Sequence, residues 1–170
     1  MRYNGRVAHP NVPGIQLIDE AVIEATLARA RSSARLRANH NFHPNDADPF
    51  HRFLNAWLSG SYCAPHRHQA VAKPEMFVML RGKLACFIFD DAGHVTQGVV
   101  LGAGGPLGID VAAGTWHTIL PVSPEAVCLE VRLGPWDPKT DKEFAPWAPR
   151  EGEPGAEAYA ERLLTTVRQV

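Results

Sequence analysis

Polar and apolar positions follow two periods along this chain. In "QLIDEAVIEATLARARSS" the apolar residues Ile18, Val22, Ile23 and Leu27 recur at helical spacing, and arginines gather at the end. That pattern predicts an amphipathic helix whose last turn suits its macrodipole. From about Phe50 the period shortens toward two and β-formers take over. "FHRFLNAWL", "EMFVML", "KLACFIFD", "HVTQGVVL" and "AVCLEVRL" read as short strands separated by turn signals. "RGK" and "DDAGH" predict tight hairpin connections. The Asn- and Pro-rich "ARLRANHNFHPNDADP" predicts a loop or a short edge strand, and "GAGGPLG" a loop between strands rather than a phosphate cradle, since no helix follows and no Gly-Lys-Ser/Thr ends it. "GPWDPKTDKEFAPWAPREGEPG" reads as an arm laid across the strands, with Trp136 and Trp147 packing on them, and "AEAYAERLLTTVRQ" as a final amphipathic helix. Met76, Phe77 and Met79 read as core.

Several short strands flanked by terminal helices predict a mainly β sandwich or small barrel. Length permits one domain of 170 residues with a real core. The expected organisation is a helix and loop arm over residues 1–50, a barrel over 51–133, and a Pro/Trp-rich arm with a helix over 134–170. A net charge of −1 gives no basic field for nucleic acid or an anionic membrane. No apolar run approaches membrane-spanning length, and the polar, proline-broken opening residues lack a secretion signal's apolar core, so the expected location is cytoplasmic. The odd count of three cysteines, Cys63, Cys86 and Cys128, in apolar surroundings predicts buried free thiols.

The candidate chemistry lies in the histidines, of which there are eight. His9 and His94 read as solvated loop residues. His66 and His68 differ, because residues i and i+2 of an extended strand share a face. Glu75 opens the next strand, and an antiparallel return brings it opposite the pair. His117 follows the turn at Gly114. Three imidazoles and a carboxylate suit one divalent first-row metal, Zn, Fe, Mn or Ni, and leave coordination positions for water or substrate. None of the four is a cysteine, which argues against a closed structural zinc site.

Other polar positions extend this picture. Arg35, Arg37, Asn39, His40 and His43 precede the strands, and folded over a barrel mouth they would bind an anionic group such as a sugar-nucleotide phosphate. Arg52 and Asn55 have opposite parity, so one of them at most faces inward. Glu130, within "VCLEVRL", reads either as a base beside the metal or as an outward residue.

Gly60, His66, His68, Glu75 and Gly82, with Gly114 and His117 later, resemble the paired motifs of the cupin superfamily. The interval from His68 to Glu75 is longer than usual there, Ala112 stands for a proline, and Pro121 stands for an asparagine. "SARLRANHNFHPNDADPFHRFLNAWLSGSYCAPHRH", "LRGKLACFIFDDAGHV", "AGTWHTI", "LEVRLGPW" and "DKEFAPWAPREG" are similar to the WbuC family of cupin-fold metalloproteins, a family associated with bacterial O-antigen and polysaccharide gene clusters. The resemblance implies a cupin-type double-stranded β-helix (jelly-roll) barrel, a metal on His66, His68, Glu75 and His117, and a homodimer. The function expected from residues and resemblance together is metal-dependent isomerase or epimerase chemistry on a sugar or sugar nucleotide. Glu130 or His40 would move the proton, and Arg35, Arg37, Asn39 and Arg52 would hold substrate. The alternative is a non-catalytic sugar-binding cupin with the metal as anchor.

Overall fold

A computed structural model describes residues 13–69 and 72–168. His9 lies outside them. The chain forms α1 (Glu20–Arg31), β1 (Arg37–Asn41), β2 (Phe50–Leu58), β3 (His66–Arg67), β4 (Glu75–Arg81), β5 (Lys83–Phe89) and β6 (Val95–Gly102). It continues with β7 (Gly108–Val111), β8 (Trp116–Pro121), β9 (Glu125–Leu133), β10 (Glu143–Phe144) and α2 (Ala156–Arg168). Among the described residues, ten strands make two five-stranded antiparallel sheets, ordered β1-β2-β9-β4-β7 and β10-β3-β8-β5-β6. This is a cupin-type jelly roll. Strands extend past 51–133 at both ends, because β1 pairs with β2 and β10 with β3.

Strand alternation separates the layers. Trp57, Phe77, Met79, Leu84, Cys86, Ile119 and Cys128 meet between the sheets. The opposite faces take the helices. Asp19 caps α1 by accepting the Val22 N–H at 3.0 Å. Its Ile23, Leu27 and Ala30 pack on Leu54, Ala56 and Val127 of β2 and β9. The α2 residues Leu163 and Leu164 cover Ala85 and Phe87 of β5. The three cysteines are free and buried.

Three local expectations change. "RGK" is not a hairpin, since β4 and β5 belong to different sheets and Gly82 turns the corner between them. Its φ of 69° is left-handed, a region that favours glycine. Met76 is exposed, because alternation on β4 sends Glu75, Phe77 and Met79 inward and Met76 out. Trp136 is part-exposed at the rim of a cavity, while Trp147 packs against Phe89 and Trp116 as expected.

Candidate metal centre

The two sheets enclose an open-mouthed cavity of about 750 Å³. His66 and His117 face each other directly across the β3–β8 ladder. His68 follows β3 immediately and keeps the parity of His66. Glu75 is the first residue of β4, held between Val111 of β7 and Arg132 of β9. The long interval after His68 is absorbed before β4 begins, so Glu75 still arrives on the inward face. One ligand atom from each of His66, His68, Glu75 and His117 can be chosen so that all four lie within 4.8 Å of one another, and all four residues are buried.

The outer ring nitrogens explain why these atoms converge. Nδ1 of His66 lies 3.0 Å from the Ala64 carbonyl and Nδ1 of His117 lies 2.9 Å from that of Thr115. Nδ1 of His68 meets the Asp141 carbonyl. A carbonyl only accepts, so each Nδ1 carries a proton, and in the neutral ring the Nε2 is left to face the other groups. The Nε2 of His117 then stands 3.0 Å from Glu75 Oε2, and that of His68 stands 2.9 Å from Glu75 Oε1 without hydrogen-bond geometry. A carboxylate also only accepts, so a proton or a metal ion has to lie between each of these nitrogens and Glu75. Burial holds the His66 imidazole well below its ordinary pKa, so that ring favours its neutral form, the form that ligates a metal. Burial works to raise the Glu75 carboxyl, but the imidazoles of His117 and His68 outweigh it and hold the carboxyl well below the usual range. Four converging acceptors, one of them an orphaned buried nitrogen, fit a divalent metal of the first transition row.

Around them sits a network that the sequence reading missed. Arg132, two residues beyond Glu130 on β9, donates to Glu75 Oε1 at 3.3 Å and to Asp141 Oδ2 at 3.0 Å. Asp141 Oδ1 lies 3.4 Å from the buried Lys73 ammonium, which also donates to the Pro135 carbonyl. The parity of "LEVRL" places Arg132 inward with Glu130. For Asp141, inside a proline-rich arm with no period, the sequence holds no such signal.

Glu130 faces the cavity from the central strand β9. Its Oε2 accepts from Asn55 Nδ2 at 2.9 Å, and Oε1 lies 3.8 Å from Arg132 Nε. Burial, helped by the Glu75 charge, pushes its pKa up to about 7. Asn55, not Arg52, is therefore the inward member of that pair. Arg52 points to the other face of β2, over the Phe50 ring. His40 likewise lies on the outer face of β1, against Phe42, where burial and then the Arg29 charge lower its pKa. Neither residue lines the cavity. Arg35, Arg37, Asn39 and His43 do line it, but the arginines are already engaged. Arg35 holds both oxygens of Glu151 at 2.8 Å, and Arg37 holds Oε2 at 2.6 Å, donates to the Tyr62 carbonyl and lies over Trp57. Their geometry ties the C-terminal arm to β1. His43 stacks on His51, with ring centroids 4.0 Å apart.

A family model described as a domain of unknown function (DUF6016) matches residues 18–101. No curated protein matches the sequence. Among solved structures, the capsular polysaccharide assembling protein CapF of Staphylococcus aureus is similar at 18% identity and a TM-score of 0.55, over 66% of this chain and 32% of that one. The L-ribose isomerase of Cellulomonas parahominis, solved with L-psicose, is similar at 18% identity and a TM-score of 0.51, over 73% of this chain and 72% of that one. This chain spans about a third of the CapF structures it matches. The likeness is one of fold. No helix among the described residues is long and apolar enough to cross a membrane.

Proposed function

We propose that this protein is a metal-dependent enzyme that moves a proton on a small sugar-like substrate, in the manner of an isomerase or epimerase. The observation that carries this reading is the presence, in one cavity, of a four-ligand set and a buried carboxyl poised near neutrality. His66, His68, Glu75 and His117 would hold one Zn, Fe, Mn or Ni ion. When bound, such an ion supplies a Lewis acid that polarises a carbonyl or hydroxyl.

The chain's own residues account for the rest. A base with a pKa near the working pH exists in useful amounts in both protonation states, so Glu130 can take a proton and return it. Asn55 fixes one Glu130 oxygen by donating to it. Arg132 holds Glu75 in place and sits beside Glu130 without making a short contact with it.

The resemblance to the WbuC family supports bacterial surface polysaccharide metabolism as the setting, and CapF carries capsular polysaccharide assembly in its name. The test is proton exchange. Metal-loaded protein is incubated with a panel of sugars and sugar nucleotides in deuterated water and followed by NMR. Deuterium should enter at a carbon beside a carbonyl or hydroxyl, and Glu130→Gln should abolish it while keeping the metal. Absence of exchange across the panel, with substrate nevertheless bound, would leave a sugar-binding protein with the metal as anchor.

A further inference from the structure

The cations lining the cavity divide into two groups. Arg35 and Arg37 share one carboxylate, Glu151, and Arg132 pairs with Glu75 and Asp141. The Lys142 ammonium and the Arg150 guanidinium form no ion pair among the described residues, although the Arg150 backbone N–H donates to Glu153. Both come from the arm after β9 and line the same cavity.

Local geometry explains how they are presented. On the extended segment through β10, Glu143 turns to the outside and pairs with Arg67, with oxygens 2.8 and 2.9 Å away. Alternation therefore turns Lys142 and Phe144 to the cavity. The Phe144 ring lies 6.0 Å from the His66 ring, and the Arg150 guanidinium lies 3.6 Å over the Phe144 ring. A cation, an aromatic face and a second cation thus border the metal ligands on one side. Lys142 exerts its charge on His66 and on Glu130, which places its ammonium within electrostatic reach of both. Asp46, a carboxylate at the same rim, belongs instead to the loop that holds His51 and Trp136 by its backbone carbonyl.

We infer that the substrate carries an oxyanion, phosphate or carboxylate, bound between Lys142 and Arg150 while its carbon skeleton packs on Phe144. This rests on the cavity being the substrate site, as proposed above. It moves anion recognition from Arg35 and Arg37, which are tied to Glu151, to two residues on the arm. A half-buried ammonium and an exposed guanidinium that no carboxylate neutralises remain free to take an arriving anion by charge-assisted hydrogen bonds.

The test uses zinc-loaded protein titrated calorimetrically with glucose 1-phosphate, glucuronate and glucose. One or both anions should bind with an affinity that falls as salt rises, and glucose should bind at least tenfold more weakly. Lys142→Met and Arg150→Met should each weaken the anion by about tenfold or more, the scale of one charged hydrogen bond, with metal content unchanged. The tighter anion identifies the group. Equal binding of glucose, binding of neither anion, or anion affinity unchanged in both variants overturns the inference. A wild-type chain that takes up no metal would instead count against the metal centre itself.

Discussion

The backbone carbonyl of Asp141 accepts the Nδ1–H of His68, while the side chain of the same residue holds Arg132, the donor to Glu75. One residue of the C-terminal arm thus orients two of the four candidate ligands from behind. Outer partners of this kind set the tautomer and direction of a ligand imidazole. Asp141→Ala keeps that carbonyl but frees Arg132, so it should weaken metal binding about 10- to 100-fold through Glu75, as measured by chelator competition. It should also destabilise the fold, since it removes the carboxylate that pairs the buried Lys73 and one of those that pair Arg132. Lys73→Met removes one of those charges and is the milder control. Metal affinity unchanged in both variants would show that the arm does not position the site.

The ligand set makes a prediction about the metal-free protein. Protein purified without added metal should contain about one first-row ion per chain by elemental analysis. Stripping that ion leaves the Nε2 atoms of His68 and His117 against Glu75. The melting temperature should then fall, and return on metal addition by mass action. His66→Ala should lose the ion and the metal-dependent part of the stability together. A variant that keeps both would remove His66 from the site.

Glu130 gives the pH dependence. Its folded pKa of about 7 lies above the ordinary 4.5, so the native state retains a proton that the unfolded chain has released. Stability should therefore decline as pH rises from about 4.5 to about 7, by roughly 3 kcal/mol from this group, and Glu130→Gln should flatten that decline. Catalysis runs the other way. The ionised base grows as pH climbs through 7, so the exchange rate should rise and then level off, and Glu130→Gln should cost about 10²- to 10⁴-fold. A bound divalent cation offsets the Glu75 charge that helps raise this pKa, so metal loading should move the inflection down. A pH-independent rate would exclude Glu130 as the base.

The site was legible in the sequence where it follows strand parity and illegible where it depends on the arm. His66 and His68 share a face because of spacing alone, whereas for Glu130 the same alternation left inward and outward open, and the fold turns it inward. Parity also carried the warning that Arg52 and Asn55 could not both face in. It could not say which would, because no marker fixes the register of β2 against β9 from the sequence. His40 failed for the same reason, since it alternates with Arg37, Asn39 and Asn41, which line the cavity. Arg35 and Arg37 looked like an anion site because their partner, Glu151, lies more than a hundred residues away in sequence. Lys142, Asp141 and Phe144 sit in a segment whose prolines erase any period, so only the folded chain shows which way they point.

Gly82 tests the corner that joins the two sheets. A Cβ at this position would fall 2.1 Å from the Glu125 carbonyl oxygen and 2.5 Å from Ser123 Oγ, on a backbone with φ +69°. Gly60 has a similarly left-handed φ of +90°, but a Cβ there meets only the flexible Leu36 Cδ1, at 3.2 Å. The conformational penalty of alanine in this region is about 1–2 kcal/mol at either site. Only Gly82 adds a clash with backbone that cannot yield without moving β9. Gly82→Ala should therefore cost clearly more than Gly60→Ala in chemical denaturation. Its effect should reach the metal, because this corner fixes β4, which carries Glu75, relative to β5, which pairs with the His117 strand β8. Equal costs for the two substitutions, with metal affinity intact, would show that the corner relaxes freely and does not set the distance between Glu75 and His117.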